Sequence, residues 1–316
     1  MMTKKTTSAP PLHVKTPLIE SLTMGQPVEP TIWLKLESAQ PCGSFKARGV
    51  GHACQHYVSK GATHLLASSA GNAGLAVAYC GRKLGIPVTV VVPVTAKPCA
   101  IKLIEQEGAS VVIKGNEWDG AHAHAQTLLK SGWAYIHPFD DPLLWHGHAS
   151  LIDEIANDGL QPDGIIVSVG GGGLLCGLVE GIRQQSWPDI PLLAVETMGA
   201  DSLYRAQQQG GPITLEKITS IATSLGARRV ANKSFELLSD YPIETHRVSD
   251  QQALNACRQF LTDQRQLVEP ACGAALAAVY DKARFLNGKK NVLVVVCGGV
   301  GVSIEQLEIW QQQLDS

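Results

Sequence analysis

Five consecutive residues, Val292-Leu293-Val294-Val295-Val296, carry no polar side chain. A strand with one wet face would alternate, so this run demands cover on both faces, as in a central parallel strand flanked by helices. The rest of the chain agrees with that demand. Strands are predicted at 31–36, 64–67, 88–92 and 110–113, interleaved with helices near 45–60, 72–84, 96–106 and 118–130. Helices of this length between short apolar strands read as parallel α/β structure. Gly85 followed by Pro87 supplies a helix stop before the strand at 88. Past a Pro- and Asp-punctuated stretch at 136–142 the alternation resumes, with helices at 143–157, 174–185, 250–262 and 272–286, strands at 164–169 and 192–196, and a last helix from Ser303. The segment Lys15-Thr16-Pro17-Leu18 reads as a short docking strand.

A chain of 316 residues exceeds the size at which one core tends to split, so two lobes are expected, with the boundary at the punctuated stretch. With 26 basic and 28 acidic residues the formal net charge is -2, and no bias points to nucleic acid or a membrane surface. A small molecule is the expected partner. The apolar runs end well short of spanning length, and the start Met1-Met2-Thr3-Lys4-Lys5 has no signal-type apolar region, which implies a cytoplasmic protein. The eight cysteines form no CxxC pair, so most read as reduced, buried small hydrophobes.

Three strand-to-helix turns carry the chemistry. In Ser168-Val169-Gly170-Gly171-Gly172-Gly173-Leu174 an apolar strand ends in four glycines before a helix. Unhindered amides at a helix N-terminus suit a phosphate, and a plain tight strand-to-helix turn is the lesser alternative. A dinucleotide fingerprint is weak here, and no Lys-Ser/Thr pair makes a Walker loop. In Ser68-Ser69-Ala70-Gly71-Asn72-Ala73-Gly74 the amides and the Ser69 hydroxyl can hold a carboxylate, and Asn72 is either an N-cap or a partner for a ligand oxygen. The third turn follows Val292–Val296 and presents Cys297 at a strand's carboxyl end, where ligands bind in open α/β sheets.

To these is added Gln40-Pro41-Cys42-Gly43-Ser44-Phe45-Lys46-Ala47-Arg48-Gly49, where Ser44 reads as an N-cap and Lys46 falls in the first helical turn. An ammonium is disfavoured at the positive end of a helix, which favours a neutral reactive amine; a solvated surface lysine is the alternative.

Taken together, Ser44–Gly49, Ser69–Gly74, Gly170–Leu174 and Cys297-Gly298-Gly299 resemble the fold-type II pyridoxal-phosphate enzymes, a two-lobed α/β fold like the tryptophan synthase beta chain. Within them the resemblance is to serine/threonine dehydratases of the short animal type, and it extends from Leu12–Pro17 through Pro138–Pro142 to Val268–Gly273. The resemblance implies a large cofactor-binding domain of residues 1–39 and 139–316 and a small domain of 40–138. It implies that Lys46 holds pyridoxal phosphate as an imine and then acts as base. Phe45 would lie against the ring, Gly170, Gly171, Gly172, Gly173 and Leu174 around the phosphate, Asn72 at the phenolic oxygen and Cys297 at the ring nitrogen. Ser69, Ala70, Gly71, Asn72 and Ala73 would hold the substrate. A monovalent cation, potassium or sodium, would be held by Glu196, Ala200, Ser202, Leu225 and Ala227, Glu196 otherwise being a surface carboxylate.

The implied reaction converts L-serine to pyruvate and ammonia, and L-threonine to 2-oxobutanoate. Ala70 stands where racemases of this fold carry a second acid/base serine, so little racemisation is expected. A β-replacement enzyme of the cysteine synthase type and a non-catalytic binding relative are the alternatives. Relatives are typically homodimers, and an end at Ser316, close after the last helix, leaves no room for a regulatory domain. Arg48 and Glu269 read as structural partners, and His146 and His148 as packing residues rather than a metal pair.

Overall fold

The computed structural model describes residues 9–25 and 30–315, so the reading of Met1 to Lys5 lies outside it. The described elements run β1 (Leu18–Glu20), β2 (Thr31–Leu36), α1 (Lys46–Ser59), β3 (His64–Ser68), α2 (Asn72–Leu84), β4 (Val88–Val92), α3 (Pro98–Gln106), β5 (Ser110–Ile113), α4 (Trp118–Leu128) and β6 (Trp133–Tyr135). Next come α5 (Pro142–Asn157), β7 (Gly164–Ser168), α6 (Gly173–Gln184), β8 (Leu192–Thr197), α7 (Ser202–Gln209), α8 (Asn232–Asp240), β9 (Ile243–Val248), α9 (Asp250–Gln264), α10 (Pro270–Tyr280), β10 (Asn291–Val296) and α11 (Ile304–Asp315).

Two sheets result. One has six strands in the order β1-β2-β10-β7-β8-β9, and the other four in the order β5-β4-β3-β6. Every pairing is parallel except that of the edge strand β1 with β2. The apolar run in β10 lies between β2 and β7, and its residues Val292 to Val296 are fully buried. Each valine so buried stabilises the fold by about 1.5–3 kcal/mol. A separate core lies against the four-stranded sheet and includes Ala47, Val50 and Ala53 of α1 with Leu75 and Val77 of α2.

Register decides where the motifs meet. Val296 pairs with Leu36, so Cys297 emerges beside the segment that leads from β2 to Lys46. The carboxyl ends of β3, β7 and β10 deliver the Ser69, Gly170 and Cys297 turns respectively.

Some local expectations are corrected. Ser44 does not cap α1: Phe45 occupies the cap position, and the buried Ser44 hydroxyl has no hydrogen-bond partner. Its backbone instead forms an antiparallel bridge with Gly298. Asn72 is not a cap either, because extended Gly71 takes that position and Asn72 is the first helical residue. The helix expected over 272–286 is α10 and a separate 3-10 turn, divided near Lys282, which adopts φ +54°. The short strand near the N-terminus is Leu18–Glu20 rather than a segment starting at Lys15.

Candidate active site

The turn before α1 is zipped to the end of β10. Phe45 N–H donates to the Cys297 carbonyl at 3.2 Å and Gly299 N–H to the Gly43 carbonyl at 2.9 Å. Lys46 is thereby held beside Cys297. Its Nζ donates to the Pro138 carbonyl and lies 5.0 Å from the Phe45 ring centroid. Desolvation by the surrounding protein lowers the amine's pKa to about 8, against a small opposing effect of the Cys297 sulfur. At pH 7 about a tenth of Lys46 is therefore the free amine, far more than for an ordinary lysine, and this is the form that attacks carbonyls and accepts protons. The reactive reading, rather than the solvated one, fits this position.

The glycine loop lies next to the same turn. A Cβ on Gly171 would fall inside the Phe139 ring, and Gly172, at φ +86°, would drive one into the Ser234 hydroxyl. Close packing thus explains why side chains are missing there. Helix geometry leaves the amides of Gly173, Leu174 and Leu175 without intrahelical acceptors, at the positive end of α6. That combination fits a phosphate dianion. The residues present therefore fit pyridoxal phosphate: an amine for its aldehyde and an amide cradle for its phosphate.

Asn72 joins the third turn. Its Nδ2 donates to Glu269 Oε1 at 2.8 Å, and its Oδ1 accepts from Val300 N–H at 3.1 Å. Glu269 Oε2 accepts from Gly301 N–H at 3.3 Å. Nδ2 carries a second hydrogen, which stays available to a ligand oxygen. Ser69 Oγ accepts from Gly71 N–H at 3.2 Å, curling the loop ahead of α2, while Ala70 and Ser69 remain partly exposed and Ala73 is buried. The Cys297 thiol is pushed well above its ordinary range by a hydrogen bond with Cys272 and by burial, so it stays uncharged.

The residues suggested for a cation sit behind the glycine loop. Glu196 is buried, and its two oxygens accept from the backbone N–H groups of Leu203 (2.9 Å) and Tyr204 (2.7 Å), so it is no surface carboxylate. Burial pushes its carboxyl up to about 8, although those two hydrogen bonds pull the other way. Ser202 is buried with its hydroxyl unpartnered. Ala200 N–H donates to Thr197 at 2.9 Å and Ala227 N–H to the Leu225 carbonyl at 2.7 Å. The Leu225 backbone lies against Gly170, where a Cβ would approach it to 2.9 Å.

Several contacts around the site could not be read from sequence spacing. The Pro138 carbonyl meets Lys46 because the segment between β6 and α5 passes the start of α1. His148 is buried against Phe45, with ring centroids 5.0 Å apart, and is kept neutral by burial and by nearby Lys46 and Arg48. No cluster of three or more His, Cys, Asp or Glu residues able to hold a metal occurs among the described residues. His146 pairs instead with Glu180 at 2.8 Å.

Arg48, two residues beyond Lys46, is fully buried. It grips Glu37 through Nε (2.7 Å) and Nη2 (2.8 Å), and Glu154 through Nη1 (2.7 Å) and Nη2 (2.8 Å). Lys35 Nζ adds a bond to Glu154 at 2.6 Å, giving two cations for two anions. The eight cysteines are all free, and only Cys99 is exposed.

Comparison with known proteins agrees with this geometry. Residues 10–298 match the family described as pyridoxal-phosphate dependent enzyme. An L-serine dehydratase/L-threonine deaminase of Mus musculus is 46% identical over 314 residues, covering 96% of each chain. The crystal structure of a fungal L-serine ammonia-lyase from Rhizomucor miehei superposes with a TM-score of 0.89 at 35% identity, covering 95% of this chain and 98% of that one. A maize serine racemase structure, at 23% identity and a TM-score of 0.87 over 96% of this chain and 93% of its own, shares the fold. With its lysine, glycine loop and strand-end cysteine brought together in that fold, the chain belongs to the pyridoxal-phosphate dependent enzymes.

Proposed function

We propose that this protein dehydrates L-serine to pyruvate and ammonia, and acts likewise on L-threonine to give 2-oxobutanoate. The observation that carries this reading is the Lys46 amine, desolvated and held at the Pro138 carbonyl beside the phosphate cradle. Pyridoxal phosphate, when bound, supplies an aldehyde that condenses with an amine and a conjugated ring that accepts the electron pair of a broken Cα–H bond. The protein's residues do the rest. Gly170 to Leu174 would hold the phosphate, Phe45 would pack on the ring, and Asn72 would offer its second Nδ2 hydrogen to the phenolic oxygen. Neutral Cys297 would leave the ring nitrogen without a charged partner, which would temper electron withdrawal and suit loss of a β-hydroxyl.

The substrate carboxylate is held by Ser69 and the amides from Ala70 to Ala73 at the start of α2, where the helix dipole favours an anion. Lys46 takes the α-proton and the β-hydroxyl departs, the two together making up the water released, and hydrolysis of the freed enamine by a second water yields the ketoacid and ammonia. Residues 1–39 and 139–316 form the larger lobe in this reading and 40–138 the smaller. The enzyme acts in the cytoplasm as a homodimer, which sedimentation of the purified protein would test.

Product analysis separates the rival chemistries. Ketoacid and ammonia should form in equal amounts from L-serine without added thiol, and D-serine should stay below about one hundredth of the product, because Ala70 has no proton to donate. Turnover only with a thiol would support β-replacement, and rapid serine enantiomer exchange would contradict the role given to Ala70.

For the cation, the buried, unpartnered Ser202 hydroxyl and the buried Glu196 carboxyl fit a potassium or sodium ion completed by carbonyls of Ala200, Leu225 and Ala227. Potassium should raise Tm by a few degrees over tetramethylammonium at equal ionic strength, an effect on the order of 1 kcal/mol. Glu196→Gln should remove most of that increment. Equal Tm in both salts would rule the site out.

A further inference from the structure

We propose that His137 is a positioning residue whose Nδ1 builds the turn on which the Lys46 amine rests. The inference depends on Lys46 being the reactive amine. His137 Nδ1 accepts from two backbone donors, Phe139 N–H at 3.2 Å and Asp140 N–H at 2.7 Å. An acceptor two and three residues ahead of its own backbone N–H partners is the arrangement Asn and Asp adopt when they initiate turns. Here an imidazole does that work.

The turn it ties has three attachments to the site. The Pro138 carbonyl receives Lys46 Nζ, and the Phe139 ring lies where a Gly171 side chain would be. The Phe139 carbonyl receives Trp145 Nε1 at 2.9 Å. The one turn from His137 to Asp140 therefore fixes the resting place of the amine and packs against the glycine loop. Two N–H donors on Nδ1 require a lone pair there, which puts the ring proton on Nε2. The surroundings keep it so: burial, then His122 and Lys46, lower the His137 pKa to about 4. The Tyr135 and Phe139 rings flank it at centroid distances of 6.2 and 4.7 Å. The turn is thus intact throughout the pH range in which Lys46 titrates.

The test compares His137→Phe, which keeps the ring but loses the acceptor, with His137→Asn, whose Oδ1 restores one. Cofactor-free protein is mixed with pyridoxal phosphate, and the growth of visible absorbance is followed alongside kcat for L-serine and circular dichroism. His137→Phe should slow both cofactor capture and kcat by about 10- to 100-fold with the fold retained, the scale of a misplacement of about 1 Å. His137→Asn should stay within about threefold of the unaltered protein. Normal behaviour of His137→Phe, or an equal loss in a folded His137→Asn, overturns the proposal. Should His137→Phe fail to fold, His137→Asn decides alone by the same limits. Lys46→Ala keeps the two ideas apart. If that variant is inactive while His137→Phe is normal, only the role of His137 falls; if it turns over normally, the reading of Lys46 itself fails.

Discussion

Lys46→Ala should lower L-serine turnover by at least about 10³-fold while leaving the fold intact, since the proposed function gives this one residue both the cofactor's attachment and the base. Removing it takes away no buried charge partner among the described residues, because the amine's hydrogen bond is to the Pro138 carbonyl. The measurement is ketoacid release, with visible absorbance after adding pyridoxal phosphate as a second readout. Both should vanish. Retained turnover would remove the basis of the functional reading. In the unaltered protein, cofactor capture should rise with pH and level off above about 8, as the amine loses its proton. The groups facing that amine are Cys297, His137 and His148, of which burial keeps the two histidines neutral and hydrogen bonding with burial keeps the thiol protonated, so Lys46 alone should shape the curve.

Arg48→Met should cost about 3–5 kcal/mol of stability, the scale of breaking a buried charge cluster by removing one member. Glu37 is fully buried, and without Arg48 its carboxylate keeps only the Thr16 hydroxyl at 2.6 Å and the Gln40 amide at 3.2 Å. Lys35 would still serve Glu154, so the stranded charge is Glu37. The same cluster ties α1 to the end of β2 and to α5, so any folded Arg48→Met protein should also show weaker cofactor capture. Urea unfolding with a loss below about 1 kcal/mol would mean that the cluster can relax or admit water, against its burial.

The parts that sequence reached and the parts it missed differ in the distance over which their causes act. The strand-turn-helix motifs were legible because each cause is local: an apolar strand, a run of small residues, a helix-compatible segment. Strand β9, Ile-Glu-Thr-His-Arg-Val, went unread because as an edge strand it keeps polar residues. Strand β6 is only three residues long. The capping roles expected of Ser44 and Asn72 failed for tertiary reasons. Ser44 is drawn into a bridge with Gly298, and the Asn72 amide is engaged by Glu269 and Val300, about 200 residues away along the chain. The two acidic partners of Arg48 lie 11 and 106 residues from it, and no spacing rule joins them.

By itself the sequence determined that the chain must form parallel α/β structure, because Val292 to Val296 cannot face water on either side. It also determined which turns could carry a phosphate, a carboxylate or an amine, since glycine runs, small polar residues and a lysine at a helix start have local consequences. Only the tertiary structure shows that Lys46 is buried, with its amine's pKa lowered to about 8. Its pKa depends on desolvation by the surrounding fold, and its position depends on a carbonyl 92 residues away in a turn tied by His137. Solvation and long-range hydrogen bonds are properties of the assembled fold, and strand register and chain return bring those groups together.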